Sequence, residues 1–133
     1  MGQPAAKLND QVIATDIHIV MVPAGPSLVP TPLPHPFSGI ITGGVISSVQ
    51  IGGQPAAVAG SSATNTPSHI PTPPGTTFQK PPANQGTIQM GSATVQIGGK
   101  PAARNGDTAT TCDDPADMPV GTVVAAGTVF IGG

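Results

Sequence analysis

Apolar and polar residues alternate in short runs along the chain, and most of these runs end at glycine. The clearest runs occur in three segments, each with an alternating stretch, a glycine-marked turn, a second alternating stretch and a Gly-Gly pair. They span Gly39–Gly53, Gly86–Gly99 and Gly121–Gly133. Alternation with a period of two is typical of half-buried strands, so we predict a β-hairpin in each segment.

The closing strands of the three predicted hairpins are the most similar part of the repeat. Each has two branched apolar residues two positions apart, namely Val49/Ile51, Val95/Ile97 and Val129/Ile131. Residues two apart point to the same face of a strand, so we expect each pair to share one face.

A second motif, Pro-Ala-Ala, also occurs three times, beginning at Pro4, Pro55 and Pro101. A short polar residue stands six positions after each proline; these residues are Asp10, Ser61 and Asp107. Such side chains accept hydrogen bonds from nearby backbone N–H groups, so we expect each to close a turn.

The two motifs divide a single 133-residue domain into three units, of about residues 2–53, 54–99 and 100–133. The first Pro-Ala-Ala has no hairpin before it, and the last hairpin has no Pro-Ala-Ala after it. We therefore expect a ring that is cut once, with the C-terminal hairpin beside the N-terminal motif. A linear solenoid would need distinct capping repeats, which this sequence lacks. The predicted fold is mainly β with pseudo-threefold symmetry.

Composition indicates what kind of structure lies between the repeats. The chain has 18 glycines, 17 prolines, three phenylalanines and no tryptophan or tyrosine, so little helix and no conventional large-residue core are expected. Proline-rich segments at 22–38, 70–85 and 113–120 follow the Pro-Ala-Ala turns. We expect them to be wrapped, extended loops similar to polyproline II.

Charge and the absence of targeting signals exclude several function classes. The formal net charge is −2 with only four basic residues, which argues against nucleic-acid binding. There is no basic amphipathic helix, signal peptide or long apolar run, so no stable membrane insertion is expected. The lone Cys112 fits synthesis in a reducing cytoplasm, which is compatible with later export by a dedicated machine.

Histidine and cysteine are rare, and their positions follow the repeat. His18 and His69 each lie 14 residues after the proline of their unit's motif, and Cys112 lies 11 residues after Pro101. His35 has no counterpart in the other units. Three imidazoles and one thiolate suit a closed, structural Zn²⁺ site. Surface histidines and a buried structural cysteine are the alternative.

Other chemistry has weaker support in the sequence. Asp113, Asp114 and Asp117 cluster after the cysteine, but EF-hand spacing is missing, so we expect a solvated loop rather than a Ca²⁺ site. Phosphate-binding loops and serine nucleophile elbows are also missing. The sequence therefore predicts a protein that is not an enzyme.

One segment, GKPAARNGDTATTC at Gly99–Cys112, carries a family likeness: the chain resembles the PAAR-repeat proteins, named for Pro-Ala-Ala-Arg. In the other two copies of the motif, Lys7 and Val58 stand in place of Arg104. The segment PHPFSGII at Pro34–Ile41 is similar to the family's histidine-containing segment before its first hairpin, which supports that histidine as a ligand.

The resemblance implies a small cone that caps and sharpens the trimeric β-helical spike of a contractile injection system and helps to pierce the target envelope. Such systems include type VI secretion and extracellular phage-tail-like particles. One tip would sit on one homotrimeric spike of the valine-glycine-repeat or phage-tail type. We expect a tip without an effector extension, which could still travel with effector cargo. The implied ligands of one structural Zn²⁺ near the apex are His18, His35, His69 and Cys112.

The resemblance also implies a location: assembly at the tip of the apparatus, then delivery outside the cell or into a target cell. Two other classes stay open from the residues alone. The same four ligands could serve a zinc-dependent enzyme, or the repeats could form a metal-free scaffold. Activity assays and elemental analysis separate these classes.

Overall fold

The computed structural model describes residues 2–132; Met1 and Gly133, which ends the third predicted hairpin, lie outside the described residues. Every regular element in this range is a strand, which confirms the mainly β prediction. Within residues 2–132, therefore, no helix is long and apolar enough to cross a membrane. The strands are β1 (Gln3–Pro4), β2 (Gln11–Ala24), β3 (Ser27–Gly43), β4 (Ile46–Ile51), β5 (Gln54–Ala56), β6 (Ser62–Asn65), β7 (Thr77–Phe78), β8 (Gln85–Ile88), β9 (Gln96–Ile97), β10 (Lys100–Pro101), β11 (Thr108–Thr111), β12 (Met118–Val124) and β13 (Phe130–Ile131).

The main sheet closes on itself. Its strand order is β12-β11-β8-β6-β3-β2-β7, and β12 also pairs with β2. Each sequence unit contributes two adjacent strands to the closed part: β2 and β3, then β6 and β8, then β11 and β12. Neighbouring units join through β3–β6, β8–β11 and β12–β2. The same connection is thus made three times around the sheet.

Alanines and a few larger apolar side chains fill the closed sheet. A Cβ atom added to Gly39 would lie 2.6 Å from the ring of Phe37, so glycine is required where this ring packs. Close packing of this kind leaves no room for further large residues. The buried cluster consists of Ala6, Val12, Phe37, Ile41, Ala57, Ala63, Ile88, Ala103, Ala109, Cys112, Val123 and Ala125.

The three Pro-Ala-Ala motifs form a ring of hydrogen bonds below the sheet. The N–H of Ala6 donates to the carbonyl of Ala103 at 2.9 Å, Ala103 donates to Ala57 at 3.0 Å, and Ala57 donates to Ala6 at 3.0 Å. All three alanines are fully buried. We call this feature the alanine ring, and each unit supplies one of its members.

The predicted turn-closing role of the polar residue after each motif is confirmed. Asp10 accepts the N–H of Lys7 at 3.0 Å, and Asp107 accepts the N–H of Arg104 at 2.7 Å. In the second unit the hydroxyl of Ser61 accepts the N–H of Val58 at 3.0 Å.

The predicted hairpins are wrong in their pairing. The two strands of each predicted hairpin do not pair with each other within residues 2–132; instead β4 pairs with β5, and β9 with β10. Both residues of Gly52-Gly53 have positive φ (58° and 84°), as do both of Gly98-Gly99 (60° and 81°). Two such residues form the tight hairpin turn whose twist matches that of the strands, so the fold-back occurs there.

Ring closure is confirmed at the chain ends. Strand β13 pairs with β1, with Ile131 opposite Gln3 and Phe130 opposite Pro4. The second and third motifs each pair with a strand of the preceding unit. The N-terminal motif pairs in the same way with the C-terminal strand. The isoleucine of each predicted closing strand packs against motif alanines in a second buried cluster of Ala5, Ile51, Ala56, Val58, Ile97, Ala102 and Ile131.

The first proline-rich segment is not the predicted wrapped loop. Residues 22–38 belong to a hairpin of β2 and β3, whose register runs from Gln11↔Ile40 to Ala24↔Ser27. The prolines at positions 30, 32, 34 and 36 alternate along β3. Successive residues direct their N–H groups to opposite edges of a strand, so prolines two apart remove donors from one edge only and leave the donors of the other edge for pairing with β2.

Candidate metal centre

The β2–β3 hairpin brings the first ligand candidates together. Asp16 and His18 are two residues apart on β2 and therefore share a face. His35 on β3 is the register partner of Asp16. His18 lies seven residues along β2 from Gln11, the residue that follows the first Pro-Ala-Ala turn, or about 23 Å along the strand at the usual rise per residue.

Two further segments complete the cluster from other parts of the chain. His69 lies in the irregular segment between β6 and β7, and Cys112 directly follows β11. Asp16, His18, His69 and Cys112 each offer one ligand atom, and these atoms all lie within 4.8 Å of one another. The Sγ of Cys112 is 3.6 Å from Nε2 of His18 and 3.5 Å from a carboxylate oxygen of Asp16.

Three of the four sequence-predicted ligands therefore lie in this cluster, together with Asp16, which the sequence analysis missed. An Asp-x-His pair on an alternating strand was the available signal, because its two side chains must share a face. Asp16 is fully buried, and His18 is 1% exposed. Buried polar groups of this kind need partners, and here they are one another.

His35 adjoins the cluster without belonging to the tight group. Its ring centroid is 5.4 Å from that of His18 and 5.6 Å from that of His69. Its Nδ1 lies 2.9 Å from the carbonyl oxygen of Leu33, and its Nε2 accepts the N–H of Thr72 at 3.1 Å. Both ring nitrogens thus have backbone partners, and the ligand role of His35 stays a prediction.

Burial controls protonation at the site. Desolvation, followed by the nearby His69, lowers the pKa of His18, and desolvation also lowers the pKa of His35. Desolvation and then the charge of Asp16 raise the pKa of Cys112 to about 11. In the metal-free site burial therefore favours the neutral forms of His18, His35 and Cys112, and a thiophilic cation would have to displace the thiol proton.

The donors fit a zinc-like ion. The Nδ1 of His18 is buried without a hydrogen-bond partner among residues 2–132 and lies 3.5 Å from a carboxylate oxygen of Asp114. A metal on Nε2 would keep the proton on Nδ1, facing that carboxylate, which is the usual arrangement of metal-binding histidines. Imidazole, thiolate and carboxylate donors are those that Zn²⁺ takes in proteins.

The predicted solvated loop after Cys112 is wrong for its first two residues. Asp113 accepts the N–H of Ile17 at 2.6 Å, and Asp114 accepts the N–H of Ile19 at 2.9 Å. Both carboxylates therefore fix this segment to β2 beside the cluster, and burial raises the pKa of Asp113. Asp117 alone is exposed, as predicted.

A cavity of about 400 Å³ opens next to the cluster. His35 and His69 line it together with Ile70 and several prolines of the 66–73 segment. The cavity therefore places open space beside two of the sequence-predicted ligands, His35 and His69.

The comparisons with known proteins agree with this organisation. The family model described as PAAR motif matches residues 33–115 and residues 79–133. Together the two overlapping matches span residues 33–133, which include most of β3, the strands of the second and third units and the segment that carries Cys112. Among curated proteins, none matches the chain significantly.

Proposed function

Because this chain belongs to the PAAR-motif family, whose members are structural proteins of the spike tip in contractile injection systems, we propose that it caps a homotrimeric β-helical spike. One tip would sit on one trimer and sharpen it for passage through a target envelope. Assembly would follow synthesis in the cytoplasm, and firing would carry the tip outside the cell or into a target cell.

The alanine ring is the observation that carries this proposal. It repeats one hydrogen bond three times in a single chain, and the sheet above it repeats one strand connection three times. A single chain can match three identical subunits only if it offers three similar contacts. We propose that the three units are related by rotations near 120° in one cone-shaped domain.

The ring end also offers an apolar contact surface. Val49 is 38% exposed, Val129 is 42% exposed and Phe130 is 60% exposed, all at the short strands that surround the motifs. A spike that covers these residues and the short strand edges would remove them from solvent. The chain has only four basic and six acidic residues, so we expect binding to change little between low and moderate salt.

At the other end, we propose one structural zinc ion held by His18, His35, His69 and Cys112. The ion would connect β2 to a segment 94 residues away in sequence, since Cys112 and His18 are in contact. Four protein ligands leave no position for a substrate water, so the ion would stabilise the tip rather than catalyse a reaction. For His35 to bind, its ring would have to release the N–H of Thr72.

The test is to mix the protein with a candidate homotrimeric spike and to measure the mass of the complex. The proposal predicts saturation at one tip per three spike chains. Val129→Asp places a charge on the contact surface and should weaken the complex strongly. Ile70→Asp is the matched control, because Ile70 is 76% exposed beside the metal centre and should leave binding unchanged. Three tips per trimer, or equal effects of the two variants, would contradict the proposal.

A further inference from the structure

We propose that Asp16 is the positioning residue of the metal centre: it holds Nε2 of His69 by a hydrogen bond, so that His69 presents Nδ1 to the ion. This proposal rests on the metal site of the proposed function and adds to it a residue outside the predicted ligand set. It assigns to Asp16 both an orienting role and a charge-balancing role.

The distance between Asp16 and His69 distinguishes a hydrogen-bonded pair from two ligands of one ion. Two nitrogen or oxygen ligands of one tetrahedral zinc lie about 3.3 Å apart, and a nitrogen and a sulfur ligand lie about 3.6 Å apart. The His18–Cys112 separation of 3.6 Å matches a shared ion. The Asp16–His69 separation of 2.9 Å is shorter than a shared-ion edge and is an ordinary hydrogen-bond length.

Asp16 is itself held rigidly. The hydroxyl of Thr111 donates to one of its carboxylate oxygens at 2.5 Å, while the other oxygen meets His69. Thr111 is the residue before Cys112, so the strand that delivers the thiolate also fixes the carboxylate. A carboxylate that is held by its neighbours can fix the ring orientation and the tautomer of a metal-binding histidine.

Charge gives a second reason for a carboxylate at this position. A Zn²⁺ ion with one thiolate and neutral imidazoles carries one net positive charge. Leaving that charge uncompensated in a buried site is costly. Asp16 is fully buried and lies 3.5 Å from the Cys112 sulfur, so its negative charge would offset the positive charge of the loaded site, together with the Asp114 carboxylate beside Nδ1 of His18.

The experiment compares the unchanged chain with Asp16→Asn, which keeps the shape of the side chain and removes its charge. We expect zinc affinity, measured by competition with a chromophoric chelator, to fall about 10- to 100-fold. Asp117→Asn is the matched control, because it removes the same charge from an exposed residue near the cluster. Thr111→Val, which removes only the hydroxyl partner of Asp16, should give a smaller loss of affinity.

Long-range proton–nitrogen NMR of the zinc-loaded chain provides the readout that a general loss of stability would not change. The proposal predicts a protonated Nε2 and a metal-shifted Nδ1 for His69. A metal-shifted Nε2 would overturn it, because Asp16 would then not hold that nitrogen.

Unchanged zinc affinity in Asp16→Asn would also overturn the proposal, as would an equal loss in Asp117→Asn. If the unchanged chain binds no zinc, both this inference and the proposed metal site fail. The capping proposal would survive that result, because the spike complex is measured independently of the metal.

Discussion

The alanine ring and the metal centre are built by opposite means. The ring uses three copies of one motif and the same backbone hydrogen bond in each copy. The candidate metal centre uses four residues from three segments, two of them from β2, and its members make different contacts. The difference teaches that repetition in the sequence produces the end of the molecule with the repeated backbone hydrogen bond, whereas the unequal segments between the repeats produce the end whose side-chain contacts are not repeated.

The ring tolerates side-chain differences because its contacts come from the backbone. Where the first unit has a Lys7–Asp10 ion pair at 3.2 Å, the second has the fully buried Val58 beside Ser61. All three units nevertheless make the same turn. The metal centre has no such tolerance, since its contacts come from side chains and a changed donor has no replacement.

The largest expected effect comes from removing the one thiol among the proposed metal ligands. Cys112→Ser should abolish stoichiometric zinc binding and lower the free energy of unfolding by at least about 4 kcal/mol, because metal binding is coupled to folding. Thermal unfolding and elemental analysis measure both effects. The unchanged chain treated with a chelator should unfold at a temperature similar to that of the variant. A variant as stable as the zinc-loaded chain would show that the centre contributes nothing to stability.

Enlarging the ring alanines should have the next largest effect. Ala6→Val, Ala57→Val and Ala103→Val each add volume at a fully buried position and should cost about 1–3 kcal/mol. If the units are equivalent, the three costs agree within about 0.5 kcal/mol, as measured by denaturant unfolding. Ala126→Val, at an exposed position, is the control. Widely different costs would show that the ring is symmetric in hydrogen bonding only.

Acid should affect the metal-free centre more than the ring. The lowered pKa values of His18 and His35 mean that the unfolded chain binds more protons than the folded chain below about pH 6.5. Stability of the metal-free protein should therefore fall as pH decreases through that value. The raised pKa of Cys112, from 9.0 to about 11, should reduce stability as pH increases between those values. Chemical unfolding across pH checks both directions, and a flat profile would contradict them.

The smallest expected effect is at the ion pairs beside the ring. Lys7→Met should change the free energy of unfolding by less than about 1 kcal/mol, because ion pairs near the surface contribute little. The Val58 unit already forms its turn without such a pair. Denaturant unfolding of Lys7→Met and Asp10→Ala separates the contribution of the ion pair from that of the turn. Asp10→Ala should be the less stable variant, because it also removes the acceptor of the Lys7 N–H. A larger loss from Lys7→Met would mean that charge, and not the backbone, holds the first unit together.

Much of the ring end could be predicted from the sequence because its signals are local and repeated. The turn after each Pro-Ala-Ala and the closure of the ring follow from spacing alone. Strand pairing could not be predicted in the same way, because the first predicted hairpin contains two candidate turns, one at Gly44 and one at Gly52-Gly53. Only the pair, with positive φ at both residues, reverses the chain tightly.

At the candidate metal centre, the rare histidines and the cysteine could be predicted from the sequence. The carboxylates that hydrogen-bond beside them could not. His18, His69 and Cys112 stand out by scarcity and spacing, whereas Asp16 and Asp113 are common residues whose roles depend on contacts 53 or more residues away in sequence. The β2–β3 hairpin was missed because proline density suggested a loop. The alternation of those prolines was the overlooked signal.

Hydrogen–deuterium exchange of the zinc-loaded tip, free and bound to a saturating homotrimeric spike, tests the central claim most directly. The claim is that three equivalent contacts lie at the ring end, away from the metal centre. The account predicts new protection of similar size at residues 46–51, 94–97 and 128–131, with no change at residues 66–73. Protection confined to a single unit, or centred on residues 66–73, would contradict it.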